Sequence, residues 1–248
     1  MNNFHKLTLA IFFFFMLTST GCTTNSAIKP EPKKAAKYNA LLGAEYLRKG
    51  RMKLANEKLT KALEQDPKSA DAHHYYALLQ EALKQNSKAK MHFSKAIKYS
   101  PDNPEINNNY GSFLCKQKQF SLAESHFIKA VKDPLYSTPA FALTNAGICA
   151  HDASNLGKAG IFLSKALKKQ PNFAPALYAT AKLAYDQRNY SRAQAFLFRY
   201  NEMAGHSAES LALCKQVHVQ LGEIKIADNC SEKLLTLYPN SKEAASLN

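Results

Sequence analysis

The residues best able to do chemistry in this chain are cysteines and histidines. Five Cys occur in 248 residues: Cys22, Cys115, Cys149, Cys214 and Cys230. Thiols pair, ligate metal or attack electrophiles, and spacing separates these roles. No Cys-x-x-Cys occurs, so the spacing of a zinc site is missing. His73 and His74 are adjacent, so they face different directions on a helix, and His92 lies on the next one. That spacing does not predict a convergent ligand set. His151-Asp152 beside Cys149 could set a base next to a nucleophile. Against that, no Gly-rich phosphate loop follows a strand, and no paired carboxylates stand in a recognisable arrangement. The expectation is no catalytic residue, no metal and no cofactor.

The elements that position these side chains come from a repeat. Ala, then an apolar residue four on, then a small residue three further, recurs as Ala55-Leu59-Ala62, Ala89-Phe93-Ala96 and Ala123-Phe127-Ala130. It recurs again as Ala159-Leu163-Ala166, Ala193-Leu197-Tyr200 and Ala227-Ser231-Leu234. The period is 34, except for 36 between Ala123 and Ala159, so two residues are inserted mid-chain. Pro67, Pro101, Pro171 and Pro239 fall twelve after the first alanine, where proline ends a helix. Gly43, Gly111 and Gly147, with Ala77 and Ala181 in two other units, fall twelve before it.

This pattern resembles the tetratricopeptide repeat, a 34-residue helix–turn–helix. The resemblance implies an all-α, right-handed superhelix of about six repeats, phased 36–69, 70–103, 104–137, 140–173, 174–207 and 208–241. Residues 242–248 remain as a short tail. Lys215 replaces the small residue in unit six, Gly205 replaces Pro in unit five, and Pro134 comes one early in unit three. These departures predict irregular corners and an atypical cap.

Composition agrees with a packed helical chain. The chain is 46% apolar, and 33 Lys and Arg against 19 Asp and Glu give a net charge of +14. With only 9 Gly and 10 Pro it is neither collagen-like nor low-complexity. The charge is dispersed Lys, such as Lys58, Lys61, Lys84, Lys88, Lys90 and Lys95, which reads as a solvated face. Nucleic-acid binding would call for Arg clusters with stacking aromatics. Attraction to an anionic surface, membrane or cell wall, stays open.

Residues 1–21 read as a signal peptide. Lys6 precedes an apolar run from Leu7 to Leu17 that spans about 17 Å as a helix, too short to cross a bilayer. The end of the segment, Leu17-Thr18-Ser19-Thr20-Gly21-Cys22, resembles a bacterial lipobox, with Ser19 where that pattern carries an aliphatic residue. The resemblance implies lipidation of Cys22. Thr23, rather than Asp, implies delivery to the outer membrane, facing the periplasm of a Gram-negative bacterium. Residues 22–35 are polar and Pro-rich around Lys29-Pro30-Glu31-Pro32, which predicts an extended tether.

Export bears on the other four thiols, because an oxidising compartment favours pairing. Cys115 and Cys149 fall on the first helices of neighbouring units. Cys214 and Cys230 fall on facing helices of unit six. The pairs Cys115–Cys149 and Cys214–Cys230 are expected, against the alternative of four buried thiols acting as small apolar residues.

Two segments go beyond the repeat pattern: Asn107-Asn108-Asn109-Tyr110-Gly111-Ser112-Phe113-Leu114-Cys115 and Asn145-Ala146-Gly147-Ile148-Cys149. With six repeats and a lipobox-like N-terminus, they are similar to the PilF/PilW family of type IV pilus biogenesis lipoproteins. That family often carries both Cys together. The resemblance implies a non-enzymatic, monomeric outer-membrane lipoprotein that helps pilus secretin subunits reach that membrane and multimerise. An adaptor for cell-wall hydrolases or another envelope complex is the alternative.

The partner is expected in the groove lined by the first helices. Positions 2, 5, 9 and 12 of those helices usually point inward. They are Glu105, Asn108, Ser112 and Cys115 in unit three, and Phe141, Thr144, Ile148 and His151 in unit four. In unit five they include Tyr178, Lys182 and Tyr185. Asn109 and Asn145, at position 6, would either bond a partner's backbone or brace the neighbouring repeat.

Overall fold

The structure, a computed structural model, describes residues 31–247. The expected signal peptide, Cys22 and residues 22–30 of the tether lie outside the described residues. Twelve helices follow as six antiparallel pairs. They are α1 (Pro32–Arg48) with α2 (Met52–Gln65), α3 (Ala70–Ala82) with α4 (Asn86–Tyr99), and α5 (Pro104–Lys116) with α6 (Phe120–Lys132). Then come α7 (Pro139–Asp152) with α8 (Leu156–Lys169), α9 (Ala174–Asp186) with α10 (Tyr190–Ala204), and α11 (Ala208–Gln220) with α12 (Ile224–Leu237). This is the all-α architecture of six tetratricopeptide repeats.

The small-and-bulky spacing has a direct steric cause. A Cβ added to Gly43 would lie 2.5 Å from Leu59 Cγ, one on Gly147 2.7 Å from Leu163 Cγ, and one on Gly111 2.9 Å from Phe127 Cε1. The bulky residue of each second helix therefore fills the space that the glycine of the first helix leaves. In the last pair the sizes reverse: Lys215 faces the place of Ser231, and both are half-buried. One residue earlier on each helix, Cys214 and Cys230 are joined, with Cα atoms 6.0 Å apart. A covalent tie stands there beside a contact that apolar packing fills in the other repeats.

The turn inside each pair is also repeated. Gly50, Lys84, Lys118, Ser154, Arg188 and Gly222 all have φ between 58° and 74° and occupy the same place in their repeats. Each closes its first helix with a Schellman pattern; the Gln119 amide, for example, donates to Leu114 O at 2.9 Å. Four of the six are not glycine, so those backbones hold a conformation that L side chains resist. Ser69, Asn103, Asn155, Asn189 and Ser207 cap the helices that follow by accepting a backbone amide.

Both ends of the array differ from expectation. The first helix starts at Pro32, so residues 32–35 are helical and not extended tether. Proline suits the first helical position, where its fixed φ fits and no amide hydrogen is required. At the other end, the expected tail contains α13 (Lys242–Ala245), capped by the Ser241 hydroxyl. Ala244 buries itself against Ala208, Leu211 and Leu234, and so covers the apolar edge of the last repeat. The two-residue insertion lies in the turn between α6 and α7, where the Asp133 carboxylate accepts the Leu135 amide at 2.8 Å.

Candidate partner-binding groove

First helices pack on first helices in most junctions, α1 on α3, α5 on α7, α7 on α9 and α9 on α11, which makes them the inner wall of the stack. Three successive junctions are pinned near the ends of these helices. Lys116 reaches back to Glu81 at 2.8 Å. Cys115 is bonded to Cys149, with Cα atoms 5.7 Å apart. His151 Nε2 meets Asp186 Oδ2 at 2.7 Å. Each contact joins one repeat to the next, so repeats two to five are linked in series. His151 is thus engaged with the following repeat, and Cys149 is in a disulfide, so the arrangement is not that of a nucleophile and its base.

The expected groove residues divide in two. Phe141 and Ile148 of α7 are exposed, at 48% and 42%, on the central repeat. Phe141 sits edge-on to Phe173, with ring centroids 4.6 Å apart, which fixes its ring from behind. Lys182 is exposed, while Ser112, Tyr178 and Tyr185 are half-buried. Tyr178 lies against Tyr200 at 5.5 Å, and burial, reinforced by Glu209, pushes its hydroxyl up to about 12. It is neutral at neutral pH and available only as a hydrogen-bonding group.

Asn108 and Thr144 turn into the stack and not toward the groove. The Thr144 hydroxyl donates to Ala140 O of its own helix at 2.7 Å, which satisfies it where no water reaches. Asn108 is enclosed by its neighbours and accepts from Asn145 Nδ2 at 3.0 Å. Asn109 Nδ2 donates to His74 Nε2 at 2.9 Å. His74 is buried, and loss of solvation lowers its pKa to about 4, so it stays neutral and accepts. Together, His74, Asn109, Asn108 and Asn145 form a polar seam across three repeats. Both position-6 asparagines therefore brace neighbouring repeats.

The histidines meet more closely than their spacing suggested. His92 Nδ1 donates to His73 Nδ1 at 2.9 Å, and His73 Nε2 donates to Pro67 O at 3.1 Å. Their places face each other within a repeat, and in the next repeat the same places hold His126 and Asn107, 2.8 Å apart. Among the described residues, no three His, Cys, Asp or Glu side chains gather in a metal-binding group. Also among the described residues, no helix is long and apolar enough to cross a membrane.

Residues 58–91 match a family model described as a tetratricopeptide repeat. The chain is 28% identical over 239 residues to the type IV pilus assembly protein PilF of Pseudomonas aeruginosa, across 94% of this chain and 95% of that protein. The crystal structure of PilW, described as a widely conserved type IV pilus biogenesis factor, superposes with a TM-score of 0.80 at 31% identity. The match covers 86% of this chain and 97% of PilW. The solved structure of Pseudomonas aeruginosa pilF superposes with a TM-score of 0.76 at 28% identity, covering 87% of this chain and 97% of that one. The chain therefore belongs to the PilF/PilW family of tetratricopeptide-repeat type IV pilus assembly factors, which are not enzymes.

Proposed function

We propose that this pilus assembly factor is an outer-membrane lipoprotein, anchored through Cys22, that holds a segment of the pilus secretin subunit in its inner groove. Binding a subunit while anchored at the destination membrane raises the local concentration of subunits there. That is what a ring-forming partner needs in order to localise and multimerise. The partner segment would be extended or helical and apolar on the side it presents.

The observation that carries the reading is the exposed pair Phe141 and Ile148 on α7, one helical face of a repeat pinned on both sides. Exposed apolar side chains on a rigid scaffold lose little conformational freedom on binding, so more of their burial appears as affinity. Asn109, Asn145, Ser112, Tyr178, Lys182 and Tyr185 would contribute at the rim. Asn108 and Thr144 are left out, because both are buried in the stack, whereas Asn109 and Asn145 keep part of their surface open.

The test is affinity isolation of the secretin subunit with the membrane-bound protein and its Phe141→Asp/Ile148→Asp variant. Recovery should fall by about tenfold or more, since central apolar anchors contribute over ~1 kcal/mol each. The far-ultraviolet spectrum should not change, and the melting profile should fall only by the loss of the Phe141–Phe173 edge contact, about 0.5–1.5 kcal/mol. Undiminished secretin recovery by the variant would overturn the groove assignment.

A further inference from the structure

Charge is divided unevenly between the two faces of the stack. The six second helices, α2, α4, α6, α8, α10 and α12, carry seventeen Lys and Arg against six Asp and Glu, a net +11. The six first helices carry seven against seven, a net of zero. An evenly solvated surface does not require such a division. The excess is concentrated on α4 and α8, each with four Lys and no acidic residue.

One place on the outer face is more specific than the rest. Between α8 and α10 lies a groove of about 290 Å³ whose lining includes Ser164, Lys168, Arg192, Phe196 and Arg199, and no carboxylate. Both guanidinium groups sit over the Phe196 ring, Arg192 at 5.6 Å and Arg199 at 5.4 Å from its centroid. Arg199 spends one N–H on Pro171 O at 2.7 Å. Among the described residues, no salt bridge joins Lys165, Lys168, Lys169, Arg192 or Arg199 to an acid, whereas Lys158 on the same α8 is paired with Glu124 at 2.8 Å. Two large apolar side chains on these helices are exposed as well, Ile161 at 55% and Phe198 at 66%.

We propose that the α8–α10 outer face is a docking surface for anionic phospholipid, with a headgroup phosphate taken between Lys168, Arg192 and Arg199. Planar guanidinium groups held by an aromatic ring suit bidentate recognition of phosphate oxygens. Cations near an anionic bilayer each favour its surface, and exposed Phe and Ile enter the boundary between headgroup and acyl chain. The inner groove would then face away from the lipid. This inference is independent of what the inner groove binds.

The test reads amine labelling of the full membrane-bound chain in vesicles of phosphatidylcholine, with and without phosphatidylglycerol. Labelling of Lys165, Lys168 and Lys169 should fall about fivefold in the anionic vesicles, the factor expected per cation at such a surface. Labelling of Lys182 on the inner wall should not change. The Arg192→Glu/Arg199→Glu variant should lose the protection while keeping the parental melting profile. Equal labelling in both vesicles would overturn the proposal. So would equal protection by inorganic phosphate in phosphatidylcholine vesicles alone, which would make the site a free-anion site.

Discussion

Cys115 and Cys149 are joined across the one junction where the 34-residue spacing is broken. The two inserted residues lie in the turn just before α7, so the fourth repeat cannot take its place from spacing alone. The disulfide ties the two first helices on either side of that turn. In the chain-entropy account, closing a 34-residue loop contributes about 3–4 kcal/mol. The Cys115→Ser/Cys149→Ser variant should therefore lose up to that amount of unfolding free energy in urea under non-reducing conditions. Parental stability in the double variant would show that packing alone holds this junction.

Two glycines thirteen residues apart should respond oppositely to alanine. At Gly147 the new methyl would lie 2.7 Å from Leu163 Cγ and 3.4 Å from Ala159 O, so α7 and α8 must part. Gly147→Ala should cost about 1–3 kcal/mol. At Gly160 the added methyl meets only Leu183 Cδ2 at 3.8 Å, an ordinary contact. Gly160→Ala should stabilise α8 by roughly 0.5–1 kcal/mol through helix propensity. Thermal unfolding of the two variants distinguishes the signs.

Lys118 sits at φ 58° in the turn between α5 and α6, where its repeat neighbours Gly50 and Gly222 adopt φ 70° and 74°. Removing the side chain relieves the strain at a smaller entropic cost in the unfolded chain. Lys118→Gly should stabilise by roughly 0.5–1 kcal/mol, seen as a higher urea midpoint. A lower midpoint would mean that Lys118 makes a contact worth more than its backbone strain.

Acid should weaken the fold before most carboxylates protonate. Burial lowers His74 to about 4; burial, with help from His73 and Lys95, does the same to His92. His73 and His126 are lowered too, chiefly by burial. These rings are neutral in the fold, whereas in the unfolded chain they take up protons below about pH 6.5. Stability is thus fully present above about pH 6.5 and falls as pH drops toward 4. Urea midpoints measured through that range should fall steadily, and His92→Gln should flatten the slope. A flat profile in the parent would contradict neutral burial.

Much of this fold was legible because the repeat is written in volumes. Gly111 against Phe127 and Gly147 against Leu163 are a small residue and a bulky one at a fixed offset, which needs no three-dimensional information to detect. The groove was less legible. Asn108 and Thr144 share position 5 with His74, and in all three repeats that side chain is buried in the seam between first helices. Which inward position reaches the opening depends on how each repeat is rotated on the last, and periodicity within a repeat does not encode that rotation. The His73–His92 pair was missed for a similar reason. Adjacency of His73 and His74 was visible, but the facing of one helix by its partner nineteen residues later was not.

Fractionation shows whether secretin subunits depend on this protein to reach the outer membrane and multimerise, as proposed above. Inner and outer membranes would be separated and the secretin blotted without full denaturation, in the parent, a deletion strain and a strain restored with Cys22→Ala. In the deletion strain multimers should be lost or stay in the inner membrane, and Cys22→Ala should not restore them. Multimers forming normally in the outer membrane of the deletion strain would contradict that dependence.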